Sequence, residues 1–238
     1  MKALILAGGL GTRLQEVVPD RPKTMAKVKG KPFLEYLVGQ LHSQGFEELV
    51  LCVGHLAEHI EAYFGDGSRW GVRIQYAVEN TPLGTAGAIR NASHLVEGAF
   101  LVLNGDTYLE ADFRQLLAAH RRCRAADPDL LGTIATLRVE DAAAFGTLEF
   151  DGQNRILRFR EKVTAQAGRI NGGVYVLEPA FLDLIPPGQP VSIERDTFPL
   201  LLERGYNLRA YRVKGFFVDI GTPEGYRRFQ RYVEEKEL

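Results

Sequence analysis

The feature that most restricts the fold is the first apolar run. Residues 3–7 (ALILA) are apolar at every position and lead directly into Gly8-Gly9-Leu10-Gly11. A strand with one wet face alternates apolar and polar residues. A run that is apolar throughout and bounded by glycine predicts a strand buried on both faces. Such a strand needs a covering layer on each side, and the next hundred residues have the pattern to supply both. In residues 33–44, Phe33, Leu34, Leu37, Val38 and Leu41 recur at helical spacing, and Gly45 is placed to end the helix. "LVLCVG" (49–54) repeats the buried-strand pattern, and a helical stretch follows from about Leu56 to Phe64. Val72, Ile74, Tyr76 and Val78 alternate as a third strand, a helix covers about 85–95, and "AFLVLNGD" (99–106) is a fourth strand. Strand and helix alternating in this order predict an α/β fold: a mixed, mainly parallel sheet with helices on both faces.

The rhythm changes after about residue 130. "LGTIATL", "GTLEF", "RILRF" and "INGGVYVL" are closely spaced strands, and Asp151-Gly152 marks a hairpin between two of them. Helices return near 179–185, 192–204 and 223–236, the last with Thr222 as N-cap and Pro223 in its first turn. The expected organisation is a single domain over 1–238, with a first half of about 1–130 and a β-rich second half of about 131–238.

The totals exclude several functions. A formal net charge of −1 gives no global field to recruit nucleic acid or a membrane surface. Anionic ligands would instead have to be met by a few placed cations. Cys52 and Cys123 lie far apart, without the spacing of a disulfide framework or a cysteine metal site, and suit a reducing compartment. The opening "MKALILAGG" is too short for a signal segment, so a cytoplasmic location is expected.

Gly8, Gly9 and Gly11 at the end of a buried strand let backbone N–H groups converge on phosphate oxygens, and Arg13 adds a permanently charged fork. This loop is neither of two common phosphate loops. Leu14 stands where the dinucleotide fingerprint starting at Gly9 needs glycine, and Gly-Lys-Ser/Thr occurs nowhere. Downstream, "DRPKTMAKVKGKPFLEYL" (20–37) carries Lys23, Lys27, Lys29 and Lys31 among prolines that favour an extended chain.

In combination these segments resemble the sugar-phosphate nucleotidyltransferase family, with its L-A-G-G-x-G-T-R-L loop and P-K-x-M lysine motif. The order continues through "PLGTAGAI" (82–89), "LNGD" (103–106), "FREK" (159–162), "INGGVYVL" (170–177) and "FVDIGTPEGY" (217–226), covering nearly the whole chain. The short length and "GKPFLEYL" are most similar to its heptose 1-phosphate guanylyltransferases; short N-acetylmuramate 1-phosphate uridylyltransferases are the nearest competitor, and mannose or glucose 1-phosphate enzymes are further alternatives. The resemblance implies a Rossmann-like sheet of the nucleotide-diphospho-sugar transferase type, with an NTP in the first half and a sugar 1-phosphate in the second. It implies transfer with release of pyrophosphate, by a monomer or homodimer with no nucleic-acid or membrane partner. Mg²⁺ is the implied cofactor, with Asp106 and Asp219 as its carboxylates, each after an apolar strand at a carboxyl edge. Arg13 and Lys23 would contact the triphosphate, with the backbone around Ala7, Gly8, Gly9, Gly11 and Thr12 closing on it. Lys162 would hold the sugar phosphate, and Glu161, Gly146 and Asn171 would read sugar hydroxyls. Glu79, Pro82, Gly84 and Thr85 would border the base. A carboxylate there suits guanine, whose adjacent N1–H and N2–H₂ are donors, so GTP is favoured. Thr24 and Lys27 depart from the family pattern, which usually has proline at both positions. That change is expected to loosen the loop carrying Lys23, with Lys27 as a candidate second phosphate contact.

Two other readings are open. "HLAEH" (55–59) fits an inverted zinc-peptidase motif, with His55 and His59 on one helix face. A non-catalytic sensor of nucleotide or sugar phosphate would use the same fold.

Overall fold

The computed structural model describes residues 1–9, 22–143, 145–160 and 167–238. In chain order its strands are β1 (Ala3–Leu6), β2 (Lys27–Val28), β3 (Lys31–Pro32), β4 (Glu48–Val53), β5 (Arg73–Val78), β6 (Phe100–Asn104), β7 (Thr107–Leu109), β8 (Leu130–Val139), β9 (Thr147–Phe150), β10 (Ile156–Arg160), β11 (Gly168–Leu177), β12 (Asn207–Arg212) and β13 (Phe217–Asp219). The α-helices are α1 (Phe33–Ser43), α2 (Ala57–Phe64), α3 (Gly84–Asn91), α4 (Phe113–Ala126), α5 (Phe198–Glu203) and α6 (Pro223–Lys236).

The central sheet has seven strands in the order β12-β8-β11-β6-β1-β4-β5. Strand β1 lies between β4 and β6 and parallel to both, while β11 runs antiparallel to β6 and β8. The sheet is therefore mixed and mainly parallel, as expected from the sequence. Because β1 is central, alternate side chains serve two cores. Ala3 and Ile5 join the layer built with Leu34 of α1, Phe64 of α2, Leu116 of α4 and Phe229 of α6. Leu4 joins the opposite layer, with Ile89 of α3, Leu201 of α5 and Phe181. Full burial of a leucine or isoleucine contributes roughly 1.5–3 kcal/mol, which is why the run tolerates no polar position.

Several local expectations hold. Gly45 follows α1 with φ of 78°. Thr222 caps α6, accepting the Gly225 N–H at 3.1 Å, with Pro223 in the first turn. β9 and β10 form an antiparallel hairpin. Its left-handed residue is Asn154 rather than Gly152, and Asp151 Oδ1 accepts the N–H groups of Gln153 and Arg155 at 2.8 and 2.9 Å.

Other expectations need correction. The helix read over 85–95 stops at Asn91, and a single 3₁₀ turn, Ser93–Leu95, follows. The stretch 179–185 is a 3₁₀ segment, Pro179–Leu184. Residues 192–204 open with a wide π turn, Ile193–Thr197, before α5 begins. Pro199 has no N–H to donate back to Arg195, so a regular α-helix cannot run through this point. The sequence pattern also left α4 and β12 unread. The buried face of α4 is only Phe113, Leu116 and the polar His120, too sparse for an apolar stripe. Its clearest signal is the cap: Asp112 accepts the Gln115 N–H at 2.9 Å, and the Gln115 side chain donates back to Asp112.

His120 is fully buried, with Nδ1 2.9 Å from Thr133 Oγ1 and Nε2 2.8 Å from Glu178 Oε1. Both contacts suit a neutral ring that accepts from the Thr133 hydroxyl and donates to the carboxylate. Burial lowers its pKa from the ordinary 6.5, with Glu178 opposing. The unfolded chain therefore binds a proton near pH 6.5 that the folded chain refuses. Stability from this site is complete above that pH and falls as pH drops below it, down to the lowered folded value. Thermal melts from pH 7.5 to 5 should show a shallower pH dependence in His120→Gln than in the natural chain. Parallel curves would refute the assignment.

Candidate functional site

The carboxyl ends of β1, β4, β5 and β6 meet at one edge of the sheet. β1 is the point from which the chain builds outward in both directions, the position where open α/β sheets form a crevice. Backbone bonds lock this lip: Ala7 N to Cys52 O at 2.7 Å, Glu79 N to Val53 O at 2.8 Å and Gly105 N to Leu6 O at 3.0 Å. Gly105 has no room for a side chain, since a Cβ there would lie 2.4 Å from the Leu6 carbonyl oxygen. The Glu79 carboxylate lies against Gly8 and Gly54, where added Cβ atoms would come within 2.7 and 2.9 Å of Oε1. Burial pushes the Glu79 pKa up, while the Leu83 N–H at 3.3 Å opposes the rise. Ala7 is buried at the base of the lip. Gly9 is exposed, and a Cβ there would meet nothing within 4 Å among the described residues. Gly11, Thr12 and Arg13 lie outside the described residues.

Lys23 forms an ion pair with Asp106, although 83 residues separate them. Pro22 (φ −55°, ψ 143°) leads into the 3₁₀ turn Lys23–Met25, which buries Thr24 and Met25 beneath the lip. Threonine at position 24, where the family usually has proline, is buried, and its hydroxyl has no hydrogen-bond partner among the described residues. The Lys23 and Asp106 side chains are 13% and 26% exposed, so water screens the pair less than a surface contact. Lys27 is exposed on β2. Asp219 reaches the same place by a route the sequence did not suggest. It ends no strand of the main sheet but closes the β7–β13 ribbon, opposite Thr107. Ile220 N donates to Asp106 O at 2.9 Å, so the two aspartates emerge from hydrogen-bonded neighbouring backbone, and Asp219 Oδ1 accepts the Gly221 N–H at 2.6 Å.

Two carboxylates carried on neighbouring backbone are hard oxygen donors of the kind Mg²⁺ takes when phosphate and water supply its other ligands. Among the described residues no group of three or more His, Cys, Asp or Glu side chains gathers to form an all-protein metal cage. The zinc-peptidase reading fails on geometry. Leu56 is left-handed (φ 59°) and α2 begins at Ala57, so His55 precedes the helix and shares no face with His59.

Beyond the aspartates opens a cleft of about 820 Å³, bordered by Asn104, Thr107, Gly146, Asn171, Glu194 and Asp219 among others. Asn171 sits at a break in the β8–β11 register, and Gly173 has φ of 71°. Asn171 Oδ1 accepts the Gly173 N–H at 2.9 Å, and its Nδ2 donates to the Tyr175 hydroxyl at 2.8 Å. Tyr175 in turn donates to Glu194 Oε1 at 3.0 Å. Glu161 and Lys162 lie outside the described residues.

Pro82 is exposed beside the lip, whereas Gly84 and Thr85 have a packing role the sequence reading missed. A Cβ on Gly84 would lie 2.6 Å from Val191 O, and Gly84 has φ of 69°. The Thr85 hydroxyl accepts the Ile193 N–H at 2.8 Å. Sequence reasoning also passed over Asn104, Thr107 and Glu194. Asn104 was visible in "LNGD", but Glu194 lies in a segment legible only as helix.

The nucleotidyl transferase family pattern matches residues 2–236. A mannose-1-phosphate guanylyltransferase of Mycobacterium tuberculosis is 40% identical over 229 residues, covering 95% of this chain but 62% of the mycobacterial protein. The chain therefore spans less than two thirds of that relative. A D-glycero-alpha-D-manno-heptose 1-phosphate guanylyltransferase of Campylobacter jejuni is 37% identical over 234 residues, covering 96% of this chain and 98% of that protein. Among solved structures, HddC from Yersinia pseudotuberculosis complexed with GMP-PN matches with a TM-score of 0.84 and 33% identity, covering 97% of this chain and 98% of the other.

The glycines of the lip separate by what surrounds them. Gly105→Ala forces backbone to move and should cost at least about 2 kcal/mol in chemical denaturation. Gly9→Ala should stay within about 0.5 kcal/mol of the natural chain. Equal effects would refute this division.

Proposed function

The chain belongs to the nucleotidyl transferase family, and from that premise we propose that it joins GTP to D-glycero-α-D-manno-heptose 1-phosphate, releasing pyrophosphate. The observation that carries this reading is the convergence of Lys23, Asp106 and Asp219 between a glycine-lined lip and a cleft large enough for a sugar phosphate. The nucleotide is assigned to the lip formed by residues 1–130, and the sugar phosphate to the cleft formed mainly by 131–238.

In this reaction an oxygen of the sugar phosphate attacks the α-phosphorus in line. The bond from that phosphorus to the bridging oxygen breaks, and its electrons leave with pyrophosphate. The nucleophile is already an anion near neutral pH, so no general base is needed. The barrier is electrostatic, because two polyanions must meet and the leaving group gains charge. Lys23 and Arg13 are assigned to the triphosphate, with the backbone of residues 8–12 around it, and Lys162 to the sugar phosphate. Asp106 and Asp219 would hold Mg²⁺, which when bound neutralises phosphate charge. Glu161, Gly146 and Asn171 are assigned to sugar hydroxyls.

Guanine is favoured because Glu79 offers a carboxylate to two adjacent donors at the lip, with Pro82, Gly84 and Thr85 beside it. The names of the mycobacterial and Campylobacter relatives support the same base. Heptose rests on the Campylobacter relative, which is matched along nearly its whole length. Mannose 1-phosphate is the second reading, supported by the 40% identity to the mycobacterial protein. Both cysteines are free, in keeping with a cytoplasmic enzyme, and no helix among the described residues is long and apolar enough to cross a membrane.

Purified protein with Mg²⁺ should be assayed for pyrophosphate release with each common NTP paired with heptose, mannose, glucose and N-acetylmuramate 1-phosphates. GTP with the heptose should react fastest. Asp219→Ala should lower turnover at least about 100-fold while the protein remains folded by circular dichroism. No pyrophosphate from any pair would leave the sensor reading in place. Near-normal activity in Asp219→Ala would overturn the metal assignment.

A further inference from the structure

The cleft contains a carboxylate that the proposed reaction does not use. Glu194 lies on the wide π turn Ile193–Thr197, whose geometry follows from Pro199, and it borders the cleft beside Asn171 and Asn104. Its two oxygens are unequally engaged. Oε1 accepts a firm hydrogen bond at 3.0 Å from Tyr175, whose side chain is fully buried. Among the described residues Oε2 has only the Thr85 and Ser192 hydroxyls, both at 3.4 Å, the outer limit of a hydrogen bond. One oxygen is therefore fixed in place and the other retains accepting capacity at the cleft wall.

The support behind Glu194 is rigid. Val191 N donates to Leu83 O at 2.8 Å, and Ala86 N donates to Val191 O at 2.9 Å. Gly84 and Gly87 press their α-carbons against the backbone of Val191 and Gln189, leaving no space for side chains. The first turn of α3 is thus stitched to the segment that carries Glu194. Asn104 also borders the cleft, and its Oδ1 is buried with no hydrogen-bond partner among the described residues.

We propose that Glu194 is a specificity-determining residue whose Oε2 accepts a ring hydroxyl of the sugar 1-phosphate, with Tyr175 as the residue that positions it. This inference rests on the assignment of the cleft to the sugar. A pyranose presents hydroxyl donors, and a carboxylate held by a buried phenol is a strong, oriented acceptor for one of them. Asn171 belongs to the same chain of contacts, so its amide orientation is set through Tyr175 by the same carboxylate.

The test compares the natural chain with Glu194→Gln, an isostere that keeps the shape and removes the charge. The probe is α-D-mannose 1-phosphate with its 2-, 3-, 4- and 6-deoxy analogues. Binding is read by calorimetry and KM by pyrophosphate release with GTP. Glu194→Gln should weaken sugar binding at least about tenfold while the KM for GTP changes less than about twofold. One deoxy analogue should cost the natural chain a similar factor and cost Glu194→Gln almost nothing further. Tyr175→Phe should give a smaller loss in the same direction. Unchanged sugar affinity in Glu194→Gln, a parallel loss for sugar and GTP, or additive losses for every analogue would each overturn the proposal. Because calorimetry needs no turnover, Glu194-dependent sugar binding without pyrophosphate release would support Glu194 and count against transfer.

Discussion

The site depends on one short backbone contact. Gly105 N–H donates to the Leu6 carbonyl at 3.0 Å, and the α-carbon of Gly105 sits where no side chain fits. This contact fastens the end of β6 to the end of β1 and sets where the next residue, Asp106, points. Asp106 in turn holds Lys23 by charge and Ile220 by a backbone bond, so the lysine segment and the β13 ribbon are both referenced to it. The small β7–β13 ribbon would have little stability alone, as isolated pairs of strands rarely persist in water. Packing of Phe217 and Val218 into the main core, and of Tyr108 against Phe229 at 5.1 Å, makes it a fixed platform for Asp219.

How much of this was legible from the sequence follows from the range of each interaction. The β1 run was legible because burial on both faces forces every residue to be apolar. The α6 start was legible because a cap is chemistry between neighbours: threonine, proline and a backbone N–H three residues on. α4 escaped because one of its few inward positions is His120, whose partners Thr133 and Glu178 lie on β8 and just after β11. No local pattern announces a polar residue satisfied from such a distance. The wide turn at Ile193–Thr197 was misread for a related reason: the helical pattern is present, but Pro199 removes the bond that would make it regular.

The glycines make the same point for the site. Sequence alone reads Gly8 and Gly9 as freedom for the backbone to approach phosphate and Gly84 as a border of the base, and gives Gly105 no separate meaning. Their surroundings give them different ones. Gly105 and Gly84 are required by neighbouring backbone and Gly8 lies against the Glu79 carboxylate, whereas Gly9 meets nothing within 4 Å among the described residues. Backbone packing within the described residues therefore accounts for glycine at Gly84 and Gly105. The PLGT segment was expected to border the base. It contacts Glu79 of the lip and also residues 191–193, which makes it a strut between the two halves as well as a wall of the lip.

A chain with net charge −1 has to admit two polyanions, and the Lys23–Asp106 pair indicates how. A partly buried lysine beside an aspartate leaves neither charge uncompensated, which a lone charge in that position would not tolerate. In the proposed reaction, a phosphate oxygen takes over Lys23, and Asp106 must then be balanced by a different cation. Asp219, on hydrogen-bonded neighbouring backbone, supplies the second carboxylate that a divalent ion would require. Each charged side chain would thus exchange one partner for another: lysine to phosphate, aspartates to metal. The Lys23–Asp106 pair thus places compensating charges where phosphate and cation are assigned, without a large global field.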